Sequence, residues 1–248
     1  MRKGREILKE LFGVKAGYAT YGKNPSDLRT LLTPENKGIM VTALKGLDKL
    51  KKGSYIVFHL WGLFREEALF FLWDGWVGYI QGDLFTHTKK EDLHYPLEKE
   101  HIFEVKFAQL GKPGSYEIVA IVNDKTANKN IITKRMPDEW GSEITGSDIA
   151  MEFCYEDYSP EEVDWITCEG LYKYSQSGLT EKMQGNDFIW TSDMNIFSPV
   201  DVEHREEYED EWQKKVELRI VKGKPVQLPP LPMPIRSIIP EIKALMSR

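Results

Sequence analysis

The chain has 248 residues, enough for one large domain or a domain with additions, and 41% of them are hydrophobic, enough for a substantial core. Its net charge of -6 argues against non-specific nucleic-acid binding, which needs a cationic surface. The first residues are charged and lack the apolar centre of a signal peptide, and the longest apolar run, Ala68 to Trp73, is too short to span a bilayer. We therefore expect a cytoplasmic protein with no membrane segment.

Several segments carry helix signals. Residues 5–12 place Ile7, Leu8, Leu11 and Phe12 on one side of a short amphipathic helix. A hydroxyl residue followed by Pro suits the N-cap and first turn of a helix, because the hydroxyl accepts an unpaired N–H and Pro needs no donor there. That signal occurs at Thr33-Pro34, Ser159-Pro160 and Ser198-Pro199 and predicts helices over about 34–50, 160–174 and 199–215.

The segment after the first of these helices has the character of a sheet. Residues 55–63 and 67–73 are apolar enough for central strands, and Asp74-Gly75 is a turn signal that predicts a hairpin returning over 76–81. Residues 82–101 are highly charged and indicate an exposed connection.

Residues 102–123 carry the clearest pattern in the chain. Phe103, Val105 and Phe107 alternate with polar residues before the turn at 111–114, and a second alternating run begins at Tyr116. Period-2 alternation around a Pro-Gly turn predicts two antiparallel strands with one buried face. Tyr116 stands where a tyrosine commonly packs into the corner of a sandwich, so we expect it to be buried. A last strand is predicted over 128–136, followed by a loop to 148.

The predicted fold class is therefore mainly β. We expect an antiparallel β-sandwich of the Ig-like kind over 54–136, with an N-terminal helical segment over 1–53 and a helical and loop region over 137–222 packed on it. Residues 223–248 form an extended Pro-rich C-terminal arm that ends in a short helix. Residues 225–234 contain five Pro, a composition that favours polyproline II.

The C-terminal arm is the predicted partner-binding segment. Its apolar side chains would be an aggregation liability if they stayed in water, so we expect them to contact a protein partner, another copy of the chain or the sandwich itself. The partner-binding residues are predicted to be Leu228, Leu231, Met233, Ile235, Ile238 and Ile239.

One short motif points to metal-dependent chemistry. Glu104-Val105-Lys106, with Asp83 or Asp74 upstream, is similar to the active-site pattern of the PD-(D/E)xK nucleases. The resemblance implies that Asp83 and Glu104 hold Mg²⁺ and that Lys106 supports the attacking water. The strand alternation instead puts Glu104 and Lys106 on a solvent face, where such pairs are common. The sequence also turns into another strand where that fold needs a helix.

Aromatic residues offer a second kind of site. Trp61, Trp73 and Trp76 lie on adjacent predicted strands, where they could form a sugar-binding platform or pack in the core. We expect Trp73 to be part of the core, and Trp76, beside a turn, to be the more exposed ring.

The remaining motifs leave no assigned catalytic residue, cofactor or metal. His87 and His94 could form a metal site with Asp83 or Asp92, but we expect them to belong to the charged surface connection. His59 lies in an apolar strand, where it should be a satisfied interior residue. Cys154 and Cys168 match no zinc pattern; they could form one disulfide, but we expect a reduced pair. The predicted function is a non-enzymatic interaction or assembly subunit, for example of a virus particle. The alternatives are a Mg²⁺-dependent nuclease and a carbohydrate-binding module.

Overall fold

A computed structural model describes residues 18–21, 37–62, 65–83, 87–153, 161–175, 178–184, 187–191 and 200–222. In these residues the chain forms fifteen strands and one 3-10 turn, Leu47–Lys49. The strands are β1 Tyr18–Tyr21, β2 Gly38–Lys45, β3 Ser54–Gly62, β4 Arg65–Leu72, β5 Trp76–Asp83, β6 His87–His94, β7 Ile102–Lys112, β8 Ser115–Asp124, β9 Lys129–Pro137, β10 Ile144–Phe153, β11 Val163–Tyr174, β12 Thr180–Lys182, β13 Phe188–Thr191, β14 Val200–Glu209 and β15 Trp212–Lys222.

The strands form two antiparallel sheets. Sheet A has the order β13-β1-β10-β3-β4-β5-β6, and sheet B has the order β14-β15-β11-β2-β7-β8-β9, with β12 paired to the end of β11. The prediction of a mainly β, antiparallel protein is confirmed. The Ig-like arrangement is not confirmed.

The main core lies between the two sheets. Successive side chains of a regular strand point to opposite faces, so every second residue of such a strand faces the other sheet. Sheet A contributes residues such as Phe58 and Phe71, sheet B contributes residues such as Phe103 and Leu218, and all four are almost fully buried in one cluster. The face of each sheet that points away from this core is called its outer face.

The predicted hairpin over 102–123 is confirmed. β7 and β8 pair along their whole length, from Phe103 opposite Asp124 to Lys112 opposite Ser115. Tyr116 is buried, as expected, with 8% of its surface exposed. The Asp74-Gly75 turn also joins β4 to β5 as predicted, with Gly75 at a φ of 86°.

The predicted flanking helices are wrong wherever the structure describes those residues. Residues 38–45 form β2, residues 163–174 form β11, and most of 199–215 lies in β14 and β15. No helix in the described ranges is long and apolar enough to cross a membrane. The predicted helix over 5–12, the Ser/Thr-Pro caps and the whole C-terminal arm lie outside the described residues.

Irregular alternation explains the error in β11. Its inward residues Val163, Ile166, Cys168 and Leu171 are spaced by three, two and three positions. Such spacing imitates the apolar stripe of a helix, although it arises here from a register shift between Val163 and Ile166 and from Gly170, whose φ of 62° interrupts the alternation.

β14 lies at the edge of sheet B and carries five acidic residues, Asp201, Glu203, Glu206, Glu207 and Glu209, with one arginine. This charge run falls within the helix that the sequence predicts over 199–215. It belongs instead to a strand that pairs with β15 from Val200 opposite Lys222 to Glu209 opposite Trp212.

Candidate functional site

The candidate site lies on the outer face of sheet A, where β3 and β10 are neighbours. The pairing places Asp148 of β10 directly opposite His59 of β3. Phe58 and Ile149, the next residues in the two strands, belong to the core between the sheets, so His59 and Asp148 point to the outer face. Cross-strand pairing thus brings together two residues that are 89 positions apart in the sequence.

A buried hydrogen-bonded cluster forms at this point. His59 Nδ1 lies 2.6 Å from Asp148 Oδ1, and the indole Nε1–H of Trp61 donates to Asp148 Oδ2 at 2.5 Å. The His59 and Trp61 ring centroids are 5.0 Å apart. His59 is 3% exposed and Asp148 is fully buried, whereas Trp61 is only partly buried, so the cluster approaches solvent at the indole.

The cluster fixes the orientation of the imidazole. A buried carboxylate is stable only when its oxygens are paired, and here one oxygen faces the imidazole and the other the indole. An ionised Asp148 accepts from His59 Nδ1–H, which leaves the lone pair of the neutral ring on Nε2. A carboxylate that holds a histidine in this tautomer is the arrangement that general-base catalysis uses.

Apolar side chains adjoin the cluster on the same face. Val57 and Phe70 lie opposite each other on β3 and β4, and Ala150 of β10 lies opposite Val57. These three form a small cluster of their own, separate from the main core, with Tyr55 and Leu72 packed against it. We call this set, with Ala68 and Ile80, the outer apolar cluster. The imidazole therefore borders an apolar surface.

Sheet B also carries a cleft of about 500 Å³, lined by residues of β2, β11, β12, β14 and β15. We call it the sheet B cleft. Its lining includes the partly buried Trp212, three acidic residues and three lysines, and two of the lysines pair with one glutamate. Lys214 and Lys215 each lie 3.0 Å from Glu207. The lining thus offers both signs of charge beside one aromatic ring.

The structure does not bring the nuclease-like residues together. Glu104 and Lys106 lie on the outer face of sheet B and form an ion pair of 3.1 Å, with Asn123 donating to Glu104 at 3.2 Å. The backbone of Asp83 ends β5 in sheet A, and the backbone of Asp74 lies in the β4–β5 turn. Two residues of the motif therefore point away from the sheet that holds the others.

The three tryptophans do not share a platform. Trp61 lies opposite Glu66 near one end of sheet A, and Trp76, 38% exposed, begins β5 at the other end and packs edge-on against His94. Trp73 is partly buried and packs against the main core. The predicted exposure of Trp76 and the core position of Trp73 agree with the structure.

The remaining candidates are metal-binding clusters, the two cysteines and the predicted partner-binding residues. In the described part of the chain no three His, Cys, Asp or Glu residues are arranged to hold a metal ion. Cys168 is a free, buried thiol, and burial raises its pKa to about 12. Cys154 and the predicted partner-binding residues Leu228, Leu231, Met233, Ile235, Ile238 and Ile239 lie outside the described residues.

Comparison with known proteins gives a fold-level likeness alone. No family model and no curated protein matches the sequence. Two similar solved structures are scytalido-glutamic peptidases with transition state analogs, at 10% and 12% identity and TM-scores of 0.49 and 0.48. A third is SCP-B, a member of the Eqolisin family of peptidases, with the tripeptide Ala-Ile-His, at 11% identity and a TM-score of 0.44. Each match covers 82% of this chain and 96% of the other.

These neighbours contradict the prediction of a non-enzymatic assembly subunit, because the solved structures similar to this chain are enzymes. The virus-particle version of that prediction has no support either. The likeness is too distant to assign this chain to the peptidases.

The sequence allowed His59 to be predicted as an interior residue, but it did not reveal Asp148, the carboxylate that orients the imidazole. It placed His59 in an apolar strand as a satisfied interior residue, and the structure shows that position. It missed Asp148, because the Gly and Ser residues before it indicated a loop up to 148. The alternation of Ser147, Ile149 and Met151, all buried, was the available signal that a strand begins earlier, at Ile144.

Proposed function

We propose that this protein is a hydrolase in which His59, oriented by Asp148, acts as a general base on the outer face of sheet A. The supporting observation is the 2.6 Å contact between His59 Nδ1 and the fully buried Asp148 carboxylate, on a face that the main core does not use. Burying a carboxylate and an imidazole together is costly unless the pair is well hydrogen-bonded.

The proposed reaction is hydrolysis of a carbonyl compound. His59 Nε2 takes a proton from a water molecule, and the water oxygen forms a bond to the carbonyl carbon. When the tetrahedral intermediate collapses, the bond to the leaving nitrogen or oxygen breaks, and the proton on His59 passes to the leaving group. Asp148 keeps the imidazole in one tautomer and stabilises the positive charge that forms during the reaction.

The surroundings of the pair indicate the substrate. The partly exposed members of the outer apolar cluster provide an apolar surface on the same face as His59; they are Tyr55, Ala68, Leu72 and Ile80. An apolar side group next to the scissile bond would bury area there, at about 25 cal/mol per Å² of apolar surface. We therefore propose an amide or ester flanked by an apolar group.

The test is an assay of the full chain against p-nitrophenyl butyrate and against casein. We expect hydrolysis, and we expect His59→Gln and Asp148→Asn each to lower kcat/KM at least 100-fold, the usual range for loss of a general base. The control is His94→Gln, which removes an exposed histidine of the same sheet and should leave the rate unchanged.

A purely structural role for the cluster gives different results. If His59→Gln keeps the wild-type melting temperature and kcat/KM, or if the wild-type chain hydrolyses neither substrate, the proposal is wrong. If His59→Gln fails to fold, Trp61→Phe serves instead. It keeps an aromatic ring and removes the N–H that donates to Asp148. We expect it to lower kcat, and also to lower the melting temperature, because one oxygen of a buried carboxylate loses its donor; kcat is therefore measured well below that temperature.

The sheet B cleft supports a second candidate function, ligand binding. Its lining of lysines and glutamates beside Trp212 suits a polar ligand that carries both charges, such as an extended peptide. Isothermal titration with a mixed-sequence peptide library and quenching of tryptophan fluorescence would detect it. Trp212→Ala should abolish binding and leave hydrolysis unchanged, which separates the two sites.

A further inference from the structure

The sheet B cleft lies where β11 changes its partner strand. On one side of β11, residues 163–169 pair with β15, and residues 172–174 pair with β12. Gly170 and Leu171 stand between the two partner strands and belong to the lining of the cleft. The sheet is interrupted at this point, and the volume of about 500 Å³ falls in the range that is typical of ligand-binding clefts.

One residue of the lining, Gln213, holds a buried acceptor that no described residue satisfies. Gln213 is 2% exposed, and its Nε2 donates to the backbone oxygen of Lys215 at 3.1 Å. This hydrogen bond fixes the amide group, because the reversed amide would place two oxygens against each other. The amide oxygen Oε1 is left buried and without a donor in the described part of the chain. Buried acceptors are normally paired, so a ligand that brings an N–H into the cleft would satisfy this oxygen.

A bulge in β15 brings two lysines to one glutamate. The register of β14 against β15 shifts after Glu207, so that Lys214 is an extra residue between Gln213 and Lys215. Hydrogen bonds from Lys215 and Lys214, each 3.0 Å from Glu207, lower the pKa of its carboxyl group. Glu207 is therefore ionised, and the two lysines leave this group of three with one positive charge. All three side chains are partly exposed, so an anion in the cleft can reach the ammonium groups.

The other charges beside the cleft cancel. Glu217 lies 3.5 Å from Lys215 and is offset by Arg205. Two further lysines balance two further glutamates, namely Lys45, Lys182, Glu169 and Glu209. Among the described residues the cleft therefore has one positive charge in excess, which favours a ligand with one negative charge.

An aromatic ring and several small residues complete the lining. Trp212 is partly buried and immediately precedes Gln213, whereas Thr42, Ala43 and Gly170 are small. Small residues leave room beside the indole, where an apolar side chain would be removed from water. The aromatic ring, the unsatisfied acceptor and the two lysines come from four consecutive residues, 212–215.

We propose that the sheet B cleft binds the C-terminal end of a peptide whose last side chain is apolar. The terminal carboxylate contacts the ammonium groups of Lys214 and Lys215. The N–H of the last residue donates to Gln213 Oε1, and its side chain packs on Trp212. These three groups are attached to one α-carbon of the peptide, which suits four consecutive binding residues. The inference rests on the second candidate function, ligand binding in this cleft, and specifies which end of a peptide is bound.

Isothermal titration of the full chain with acetyl-Ala-Ala-Ala-Leu tests the proposal. The peptide is used as the free acid and as the C-terminal amide, and its intact mass is checked after each titration. We expect the free acid to bind about tenfold more tightly, because only the acid carries the negative charge. Equal affinities would show that the cleft binds peptides without recognising their C-terminal end, and the proposal would be wrong.

Charge-changing variants test the contact with the carboxylate. Lys214→Gln removes the positive excess and should bring the affinity for the free acid close to that for the amide. Lys112→Gln is the matched control, because it removes an exposed lysine at the β7–β8 turn, and it should leave both affinities unchanged. Glu207→Gln leaves both lysines without their carboxylate and should tighten binding of the free acid about tenfold. Equal shifts for acid and amide would contradict the contact.

A depsipeptide tests the contact with Gln213 without altering the protein. An ester oxygen replaces the N–H of its last residue, so Oε1 receives no donor, and we expect about tenfold weaker binding than for the free acid. Gln213→Met lacks the amide oxygen and should bind peptide and depsipeptide equally. If the wild-type chain binds both equally, or if Gln213→Met keeps the preference and loses only thermal stability, Gln213 has a structural role and the proposal is wrong.

Titration with the mixed-sequence peptide library separates this inference from the function on which it rests. If the library binds but neither form of the tetrapeptide does, ligand binding in the cleft holds and recognition of the C-terminal end fails. If nothing binds, both fail. The hydrolase proposal concerns sheet A and is unaffected by either result.

Discussion

Gly170 of β11 lies against Thr42 of β2 so closely that a β-carbon at Gly170 would be 1.9 Å from Thr42 Oγ1. Its φ of 62° is one that residues with a side chain rarely adopt. Thr42 Oγ1 also donates to the carbonyl oxygen of Glu169 at 3.2 Å, so the hydroxyl is held where the β-carbon would be. Conformation and space both require glycine here, in the lining of the sheet B cleft.

Gly170→Ala should therefore destabilise the protein by about 3 kcal/mol, the sum of left-handed strain and a clash with a fixed neighbour. Gly114→Ala is the matched control, because Gly114 has a φ of 82° and open space around it. It should cost only about 1 kcal/mol. Urea unfolding of both variants measures the difference, and equal losses would show that Thr42 moves aside.

Tyr116→Ala should lower the free energy of unfolding by about 3 kcal/mol, as truncation of a buried aromatic residue does. The ring is buried at the start of β8, and the Lys37 ammonium lies 5.9 Å from its centroid. Tyr116→Phe keeps the ring and should recover most of this loss in the same unfolding measurement. A small loss of unfolding free energy in the alanine variant would mean that the start of β8 packs well without the Tyr116 ring.

Tyr95 should make the protein lose stability at alkaline pH. Burial, and the hydrogen bond that its hydroxyl donates to Asp124 at 2.8 Å, raise its pKa from 10.0 to about 12. Between these values the unfolded chain has released the proton and the folded chain keeps it, so the free energy of unfolding falls as pH rises. Below pH 10 both states hold the proton and the contribution is constant.

Tyr95→Phe removes this titration. The stability difference between wild type and variant should shrink from pH 10 to pH 12 when both are followed by urea unfolding. A difference that stays constant over this range would show that Tyr95 titrates alike in the folded and unfolded states.

Cys168 should not react with thiol reagents while the protein is folded. It is fully buried, and its raised pKa keeps it as the thiol rather than the reactive thiolate. In a Cys154→Ala background, its reaction with a disulfide reagent should proceed at the rate of global unfolding and accelerate with urea. Rapid reaction without denaturant would reveal local opening of β11.

Strands whose apolar and polar residues alternate regularly could be predicted from the sequence, whereas strands with interrupted alternation could not. The β7–β8 hairpin was predictable because its apolar residues keep period 2 on both sides of a turn. β11 imitates a helix because Gly170 and a register shift stretch the spacing of its inward residues. Such interruptions depend on the neighbouring strand, as the fit of Gly170 against Thr42 shows, and no single segment encodes them.

The candidate site depends even more on long-range pairing. His59 was recognisable as an interior histidine, but its partner Asp148 is 89 residues away and becomes a neighbour only through the pairing of β3 with β10. Apolar alternation predicts which face of a strand is buried. Which strands become neighbours in a sheet depends on the whole fold.

The acidic composition of β14 has a consequence for how the folded protein behaves at high concentration. An edge strand exposes unpaired N–H and C=O groups and can be extended by the same strand of another molecule. Here a symmetric pairing would bring the acidic strands of two copies together. Glu203 is paired with Arg219, and Glu207 with Lys214 and Lys215, so the like charge on each side comes mainly from Glu206 and Glu209. The edge strand β14 should therefore repel β14 of a second molecule, and this electrostatic repulsion should weaken as salt is added.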